Sequence, residues 1–155
     1  SHVVLFSPWL DLSPASKIMS SKKISDEVLS LDVFKKSVSD YTYTENTKIS
    51  SVSPLLADDE QLKNFPPVLI QMGSKEILLE DAKEFITRLR ENGNKCELDV
   101  WKGMMFMFQM AHEFLPQAHF AVQRVGTYIK NFNKTTKVET EDLWKKQEED
   151  TEGIK

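Results

Sequence analysis

The sequence contains few cysteine and histidine residues, and each shortage excludes a class of site. Cys96 is the single cysteine among 155 residues, so an intrachain disulfide and a cysteine-rich metal centre are both excluded. The three histidines, at positions 2, 112 and 119, leave little material for a metal site. We therefore predict neither a metal nor another cofactor.

Long apolar runs and a surplus of positive charge are absent as well. No segment of the sequence approaches the roughly 20 apolar residues that a membrane-spanning helix requires. The formal net charge of −4 gives no basic surface, so we predict no nucleic-acid partner. The composition, with 40% hydrophobic and 28% charged residues, is that of an ordinary globular domain.

Three segments have the pattern of β-strands. Val3–Phe6 and residues 68–72 are short, continuous apolar runs, which is typical of strands buried on both faces. Cys96–Trp101 alternates, with Cys96, Leu98 and Val100 on its apolar face. Alternation leaves one face in water, so we predict that this third strand lies at or near a sheet edge.

Three helices are predicted between and after these strands. Residues 78–92 have the three-and-four spacing of an amphipathic helix, followed by Gly93 as its C-terminal cap. A second helix begins at Pro116 and extends to about residue 132, and a third covers residues 28–34, with Ser25 and Asp26 as candidate caps. Strands that alternate with helices predict a parallel α/β sheet.

The two ends of the chain suggest that the sheet is incomplete. The first strand follows Ser1 almost directly, without an initiator methionine, so we expect the chain to continue upstream. Without that part, the first strand would lack a neighbour, and its open edge predicts self-association. Residues 133–155 are rich in charge, and we interpret them as a flexible tail following a domain over residues 1–132.

Four linked motifs resemble the hormone-sensitive-lipase-type esterases of the α/β-hydrolase fold. They are FSPWLDLS at 6–13, VSPL at 52–55 with FPPVLI at 65–70, GSKEILLEDA at 73–82 and KGMMFMF at 102–108. The resemblance implies that the three strands are strands 6 to 8 of that fold's mostly parallel sheet, so that this chain is its C-terminal half. It also implies that the segment between the first two strands helps to line the acyl or alcohol pocket, with substrate contacts at Trp9 and Phe108.

Ester hydrolysis in this class needs a serine nucleophile, a base, an acid and an oxyanion hole. The serine belongs to a G-x-S-x-G turn, which requires two glycines four positions apart. The glycines, at positions 73, 93, 103, 126 and 153, include no such pair, and the HGGG segment that supplies oxyanion donors is absent too. The resemblance implies that both elements would precede Ser1.

The acid and base positions fall within the chain. The resemblance implies that Glu76 is the acid, with Asp81 as an alternative, although helix periodicity makes Asp81 a first-turn charge stabilised by the helix dipole. The base position, thirty residues after Glu76, holds Phe106. A phenyl ring has no nitrogen to take the serine proton, and His112 and His119 fall on or beside the following helix.

The sequence thus predicts part of a carboxylic-ester hydrolase that is inactive as it stands. Two alternatives remain open. One is a non-catalytic protein that binds a small apolar ester or acid, as the plant gibberellin receptors, which resemble this family, also lack the histidine. The other is a degenerate remnant or an interaction module.

Overall fold

The computed structural model describes residues 2–20 and 26–131, with the backbone alone at position 20. Within it the chain divides into two compact units, one ending at Ala111 and the other beginning at His112. The segment 133–155, interpreted above as a tail, lies outside the described residues. In the described part, no helix combines the length and the apolar character needed to cross a membrane.

The first unit alternates strands and helices along the chain. Its elements are β1 (Val3–Phe6), α1 (Lys17–Ser20), α2 (Leu31–Tyr41), α3 (Asp59–Leu62), β2 (Val68–Gly73), α4 (Leu79–Glu91) and β3 (Cys96–Trp101). Short 3₁₀ helices cover Thr44–Lys48, Pro54–Leu56 and Phe108–Ala111. In the second unit residues 116–131 form helix α5, which begins at Pro116 as predicted.

The three strands form one parallel sheet in the order β1-β2-β3. Val68 of β2 lies opposite Val3 of β1 on one side and opposite Cys96 of β3 on the other. Every residue of β2 is buried, as its apolar run predicted, and α4 contacts both β2 and β3. The predicted parallel α/β arrangement is therefore confirmed.

The two outer strands differ from their sequence patterns. All four residues of β1 are only half-buried, because in the described chain this strand pairs with β2 alone. Among the described residues strand β3 does lie at an edge of the sheet, but Val100 is 41% exposed while Asp99 is buried. Asp99 is accommodated because its Oδ2 accepts hydrogen bonds from Gln71 Nε2 at 3.0 Å and Trp101 Nε1 at 2.9 Å.

Helix α2 begins later than its apolar pattern predicted. Its N-cap is Ser30, whose side chain accepts a hydrogen bond from the Val33 amide. Asp26 instead accepts from the amides of Val28 and Leu29, which forms a turn before the helix. The predicted cap Asp26 is therefore wrong, and Ser25 lies outside the described residues.

Helix α4 follows the prediction closely. Its apolar face is buried, and Gly93 has a φ of +78°, in the region that only glycine adopts without strain. The Gly93 amide donates to Arg90 O at 2.9 Å and the Asn94 amide to Leu89 O at 3.0 Å. These two bonds form a Schellman cap, which ends the helix and directs the chain into β3.

Candidate active site

The carboxyl ends of the three parallel strands bring three loops together. Ser7 follows β1, Glu76 lies in the loop after β2, and residues 102–107 form the loop after β3. Ligand sites of parallel α/β sheets lie at this edge, outside the carboxyl ends of the strands. These three loops carry the predicted acid and the predicted base position.

Glu76 is held by two hydrogen bonds to the same carboxylate oxygen. Its side chain is only 6% exposed, and its Oε1 accepts from the Ser7 hydroxyl at 2.9 Å and from the Gly73 amide at 2.5 Å. The Ser7 hydroxyl oxygen in turn accepts from the Met107 amide at 3.1 Å. One serine side chain therefore links the acid to the residue directly after Phe106.

The loop after β3 is fixed against the loop after β2 by backbone contacts. Lys75 donates its amide to Met104 O at 3.0 Å, and Gly103 donates its amide to Ser74 Oγ at 2.8 Å. A Cβ atom on Gly73 would lie 2.1 Å from Met104 O, which no side chain can tolerate. A glycine at the end of β2 is therefore required for the two loops to approach.

Phe106 lies between this loop and the hydrophobic core. Its ring is half-buried against the core and contacts Trp9 edge-on, with ring centroids 6.4 Å apart. Its amide donates to Asp26 Oδ1 at 3.4 Å, a long hydrogen bond. The Phe106 amide thus contacts the Asp26 carboxyl, and the next amide, of Met107, is linked through Ser7 to Glu76. The Phe106 side chain offers neither a donor nor an acceptor.

The electrostatics of Glu76 follow from burial. Desolvation raises the pKa of this carboxyl to about 7, with a further rise from the nearby Asp26 carboxylate, while the hydrogen bonds from Gly73 and Ser7 oppose the shift. Among the residues that the structure describes, its second oxygen, Oε2, is buried without a hydrogen-bond partner. Buried polar atoms usually have a hydrogen-bond partner, so this oxygen could accept a hydrogen bond from a donor placed next to it.

Asp81 has a different environment. It does lie in the first turn of α4, but it is 2% exposed, and burial together with the Asp11 carboxylate raises its pKa to about 7. Burial therefore disfavours the charged form of Asp81, in contrast to the predicted first-turn charge stabilised by the helix dipole. Its Oδ2 accepts from the Ser16 hydroxyl at 3.5 Å, in the segment after β1 rather than in the loop that carries Phe106.

The two predicted substrate contacts lie in different surroundings. Trp9 stacks on Phe34 of α2, with centroids 4.8 Å apart, and forms part of the wall of an open cavity of about 420 Å³. The cavity is lined by Trp9, Leu12, Ser37, Val38, Tyr41 and Val52. Phe108 is 1% exposed and packs near Trp101, so in the described chain it has no surface for a ligand.

His112 and His119 belong to the second unit, where both are exposed, and the His119 ring bonds to the Gln123 amide at 2.9 Å. Across residues 2–20 and 26–131, no three histidine, cysteine or carboxylate side chains form a group able to hold a metal ion. The candidate site in the first unit carries carboxyl, hydroxyl and aromatic side chains, from Glu76, Ser7 and Phe106.

Sequence reasoning missed Ser7 and Asp26 as site residues. The sequence could have indicated Ser7, because it is the first polar residue after an apolar strand. The carboxyl ends of parallel strands lie at the same edge of a sheet. The Ser7 φ of 45° also turns the chain sharply at this point. Asp26 had no such signal, because only the folded segment brings it to the Phe106 amide.

Comparison with known proteins agrees with this geometry. Residues 1–110 match the family model of the alpha/beta hydrolase fold. An esterase of Acinetobacter venetianus is 32% identical over 130 residues, covering 83% of this chain and 42% of the esterase. The hormone-sensitive lipase of Mus musculus is 33% identical over 78 residues, which are 48% of this chain and 10% of the lipase.

The same relationship is visible in three dimensions. The crystal structure of a hormone-sensitive lipase from a metagenome library superimposes with a TM-score of 0.75 and 28% identity, covering 84% of this chain and 44% of that one. This chain belongs to the α/β-hydrolase family, within its hormone-sensitive-lipase-type esterase group. It spans about two fifths of the length of the Acinetobacter esterase and of the metagenome lipase.

Proposed function

We propose that this chain is part of a carboxylic-ester hydrolase fold that has kept the acid position and lost the base, so that it does not hydrolyse esters by the serine mechanism. The observation that carries the proposal is the environment of Glu76. Its Oε1 is held by Ser7 and Gly73, and its Oε2 has no partner within residues 2–20 and 26–131. The adjacent loop carries Phe106 at the position where the family has histidine.

The chemistry explains why this substitution abolishes turnover. The base must take the proton from the serine hydroxyl and return it to the leaving alcohol, which requires a nitrogen lone pair. Phe106 has none, and Glu76 is an orienting group that is itself buried under the loop. Loss of a triad base costs about six orders of magnitude in turnover.

The test is a hybrid protein that joins this chain to the upstream part of the Acinetobacter esterase, compared with the same hybrid carrying Phe106→His. We expect the first to hydrolyse 4-nitrophenyl acetate no faster than buffer does, and the second to gain activity. Phe114→His, at a side chain that is 88% exposed, is the matched control. Enzymatic hydrolysis by the Phe106 hybrid would contradict the proposal.

The hybrid also needs a control for correct assembly. The Acinetobacter esterase with its own aligned base changed to phenylalanine should lose activity to the same degree. If that variant remains active, the phenyl ring is not what prevents hydrolysis, and the proposal fails in the relative as well.

A second candidate function is the binding of a small apolar ester or acid without turnover. The cavity beside Trp9 favours it, because about 420 Å³ falls in the volume range of small-molecule sites and most of its wall is apolar. Stabilisation of the chain against thermal unfolding by such compounds would support this function, and a screen in which none stabilises it would contradict it.

A further inference from the structure

We propose that Phe106 is a positioning residue for Trp9, which forms one wall of a cavity for an uncharged, largely apolar ester. This inference rests on the second function proposed above and deepens it. In place of a proton-transfer group, the residue at the base position supplies an aromatic surface that holds the cavity wall.

The first support is a continuous row of three aromatic rings. Phe34 of α2 is completely buried and stacks on Trp9 at 4.8 Å, and Phe106 meets Trp9 at 6.4 Å with an interplanar angle of 60°. Both separations lie in the range where aromatic pairs stabilise each other beyond the area they bury. The Trp9 ring is therefore held by α2 and by the loop after β3.

The second support is that Trp9 belongs both to this row and to the cavity. The other cavity walls come from α2, through Ser37, Val38 and Tyr41, and from Leu12 and Val52. Because Phe34 and Val38 lie on the buried face of the same helix, the row of rings also fixes the helix that lines the cavity. A change at Phe106 should therefore reach the cavity through Trp9.

The third support is the chemistry of the lining, which selects the ligand class. None of the six lining residues carries a charge, and the polar groups among them are the Ser37 and Tyr41 hydroxyls and the Trp9 indole. A carboxylate would lose its hydration without gaining a cationic partner there. A neutral ester loses less and can still accept one hydrogen bond, so we expect the ester to bind and its acid to bind poorly.

A histidine at position 106 would act against this arrangement. An imidazole is smaller and more polar than a phenyl ring, and the unpartnered Oε2 of Glu76 would attract it as a hydrogen-bond donor. It would therefore support the Trp9 ring less well. Phenylalanine at the base position both removes the proton acceptor and strengthens the cavity wall.

The experiment measures binding of 1-naphthyl acetate, and of 1-naphthoate as the anionic comparison, to the 155-residue chain. Trp101→Phe and Trp144→Phe leave Trp9 as the single tryptophan, so its fluorescence reports on the cavity. We expect saturable quenching by 1-naphthyl acetate, weaker binding of the 1-naphthoate anion, and no release of naphthol. Phe106→His should lower the ester affinity roughly three- to tenfold.

Two further variants separate positioning from general destabilisation. Phe106→Tyr keeps the ring and should retain the affinity, whereas Phe106→Leu keeps an apolar side chain without the ring and should lose it as the histidine variant does. Phe114→His is the control and should bind as the parent does. Anisotropy of Trp9 without ligand should fall in the histidine and leucine variants alone.

The outcomes distinguish the proposals. Ester binding that is unchanged in Phe106→His and Phe106→Leu overturns the positioning role and leaves the binding function in place. Absence of ester binding to the parent chain overturns both. Release of naphthol at an enzymatic rate contradicts the non-hydrolytic function, whatever the affinity.

Discussion

The acid position and the base position of this site differ in what holds them. Glu76 is fixed by polar contacts, from the Gly73 amide and the Ser7 hydroxyl, neither of which involves a base. Phe106 is fixed by apolar contacts, with the core and with Trp9. The hydrogen bonds that hold Glu76 therefore do not involve the side chain at position 106, and the apolar contacts of Phe106 do not involve the Glu76 carboxyl.

The surroundings of Glu76 also account for its raised pKa. A carboxylate beside an imidazolium would be stabilised as the anion, which lowers its pKa. Burial of Glu76 and the nearby Asp26 carboxylate are opposed only by the hydrogen bonds from Gly73 and Ser7, and its pKa rises to about 7. The raised pKa is thus a consequence of burial.

The largest effect should be on the pH dependence of stability. Glu76 and Asp81 both have a pKa of about 7 in the folded chain, against about 4 in an unfolded one. The native state therefore binds these protons more tightly than the unfolded state does. Protonation of the two carboxyls stabilises the fold fully below about pH 4, and this contribution is lost as the pH rises to about 7. Each carboxyl contributes a few kcal/mol over this window, which urea unfolding at pH 5 and pH 8 measures.

Variants test whether Glu76 and Asp81 cause this pH dependence of stability. Glu76→Gln and Asp81→Asn should each flatten the profile, and the double variant should flatten it most. Glu91→Gln, on the exposed side of α4, is the control for loss of a carboxylate. A double variant with the parent's pH profile would show that neither group is buried as an acid.

The next effect concerns the contact between the two loops. Gly73→Ala would place a Cβ 2.1 Å from the Met104 carbonyl oxygen, which is backbone and cannot rotate away. We expect a loss of about 3 kcal/mol or more in the free energy of unfolding, because the loop after β3 must move. Chemical denaturation monitored by circular dichroism measures the loss.

The matched control is another glycine with free space. A Cβ on Gly126 of α5 would meet no atom within 4 Å, so Gly126→Ala should be neutral or stabilising, by up to about 1 kcal/mol, since alanine favours helix. Equal effects of the two substitutions would mean that the loops do not approach at Gly73.

Sequence alone predicted the elements whose local pattern agrees with their burial. The apolar run of β2 and the spacing of α4 with Gly93 were sufficient, because burial and helix capping are properties of neighbouring residues. The positions of Glu76 and Phe106 came from the motifs, and the structure places their loops side by side. Their roles in the site remain predictions.

The features that the sequence did not predict depend on contacts between residues that are mostly distant in the sequence. Asp99 is buried in place of Val100 because Gln71, on the neighbouring strand, donates to it. Ser7 bridges Glu76 and Met107 across 69 and 100 positions of the chain. The late start of α2 depends on Ser30, whose side chain competes successfully with the earlier candidates as the cap. Pairwise geometry of this kind leaves no periodic signal.

The most direct test of the central claim, that a phenyl ring replaces the base beside Glu76, is an NMR titration of Phe106→His in this chain. We predict that the new imidazole donates to Glu76 Oε2, so that its own pKa rises above the ordinary value of about 6.5 and the Glu76 pKa falls below about 7. Adding Glu76→Gln should abolish the shift of the imidazole. If the introduced imidazole titrates alike with and without the Glu76 carboxylate, the two positions are not partners and the account is wrong.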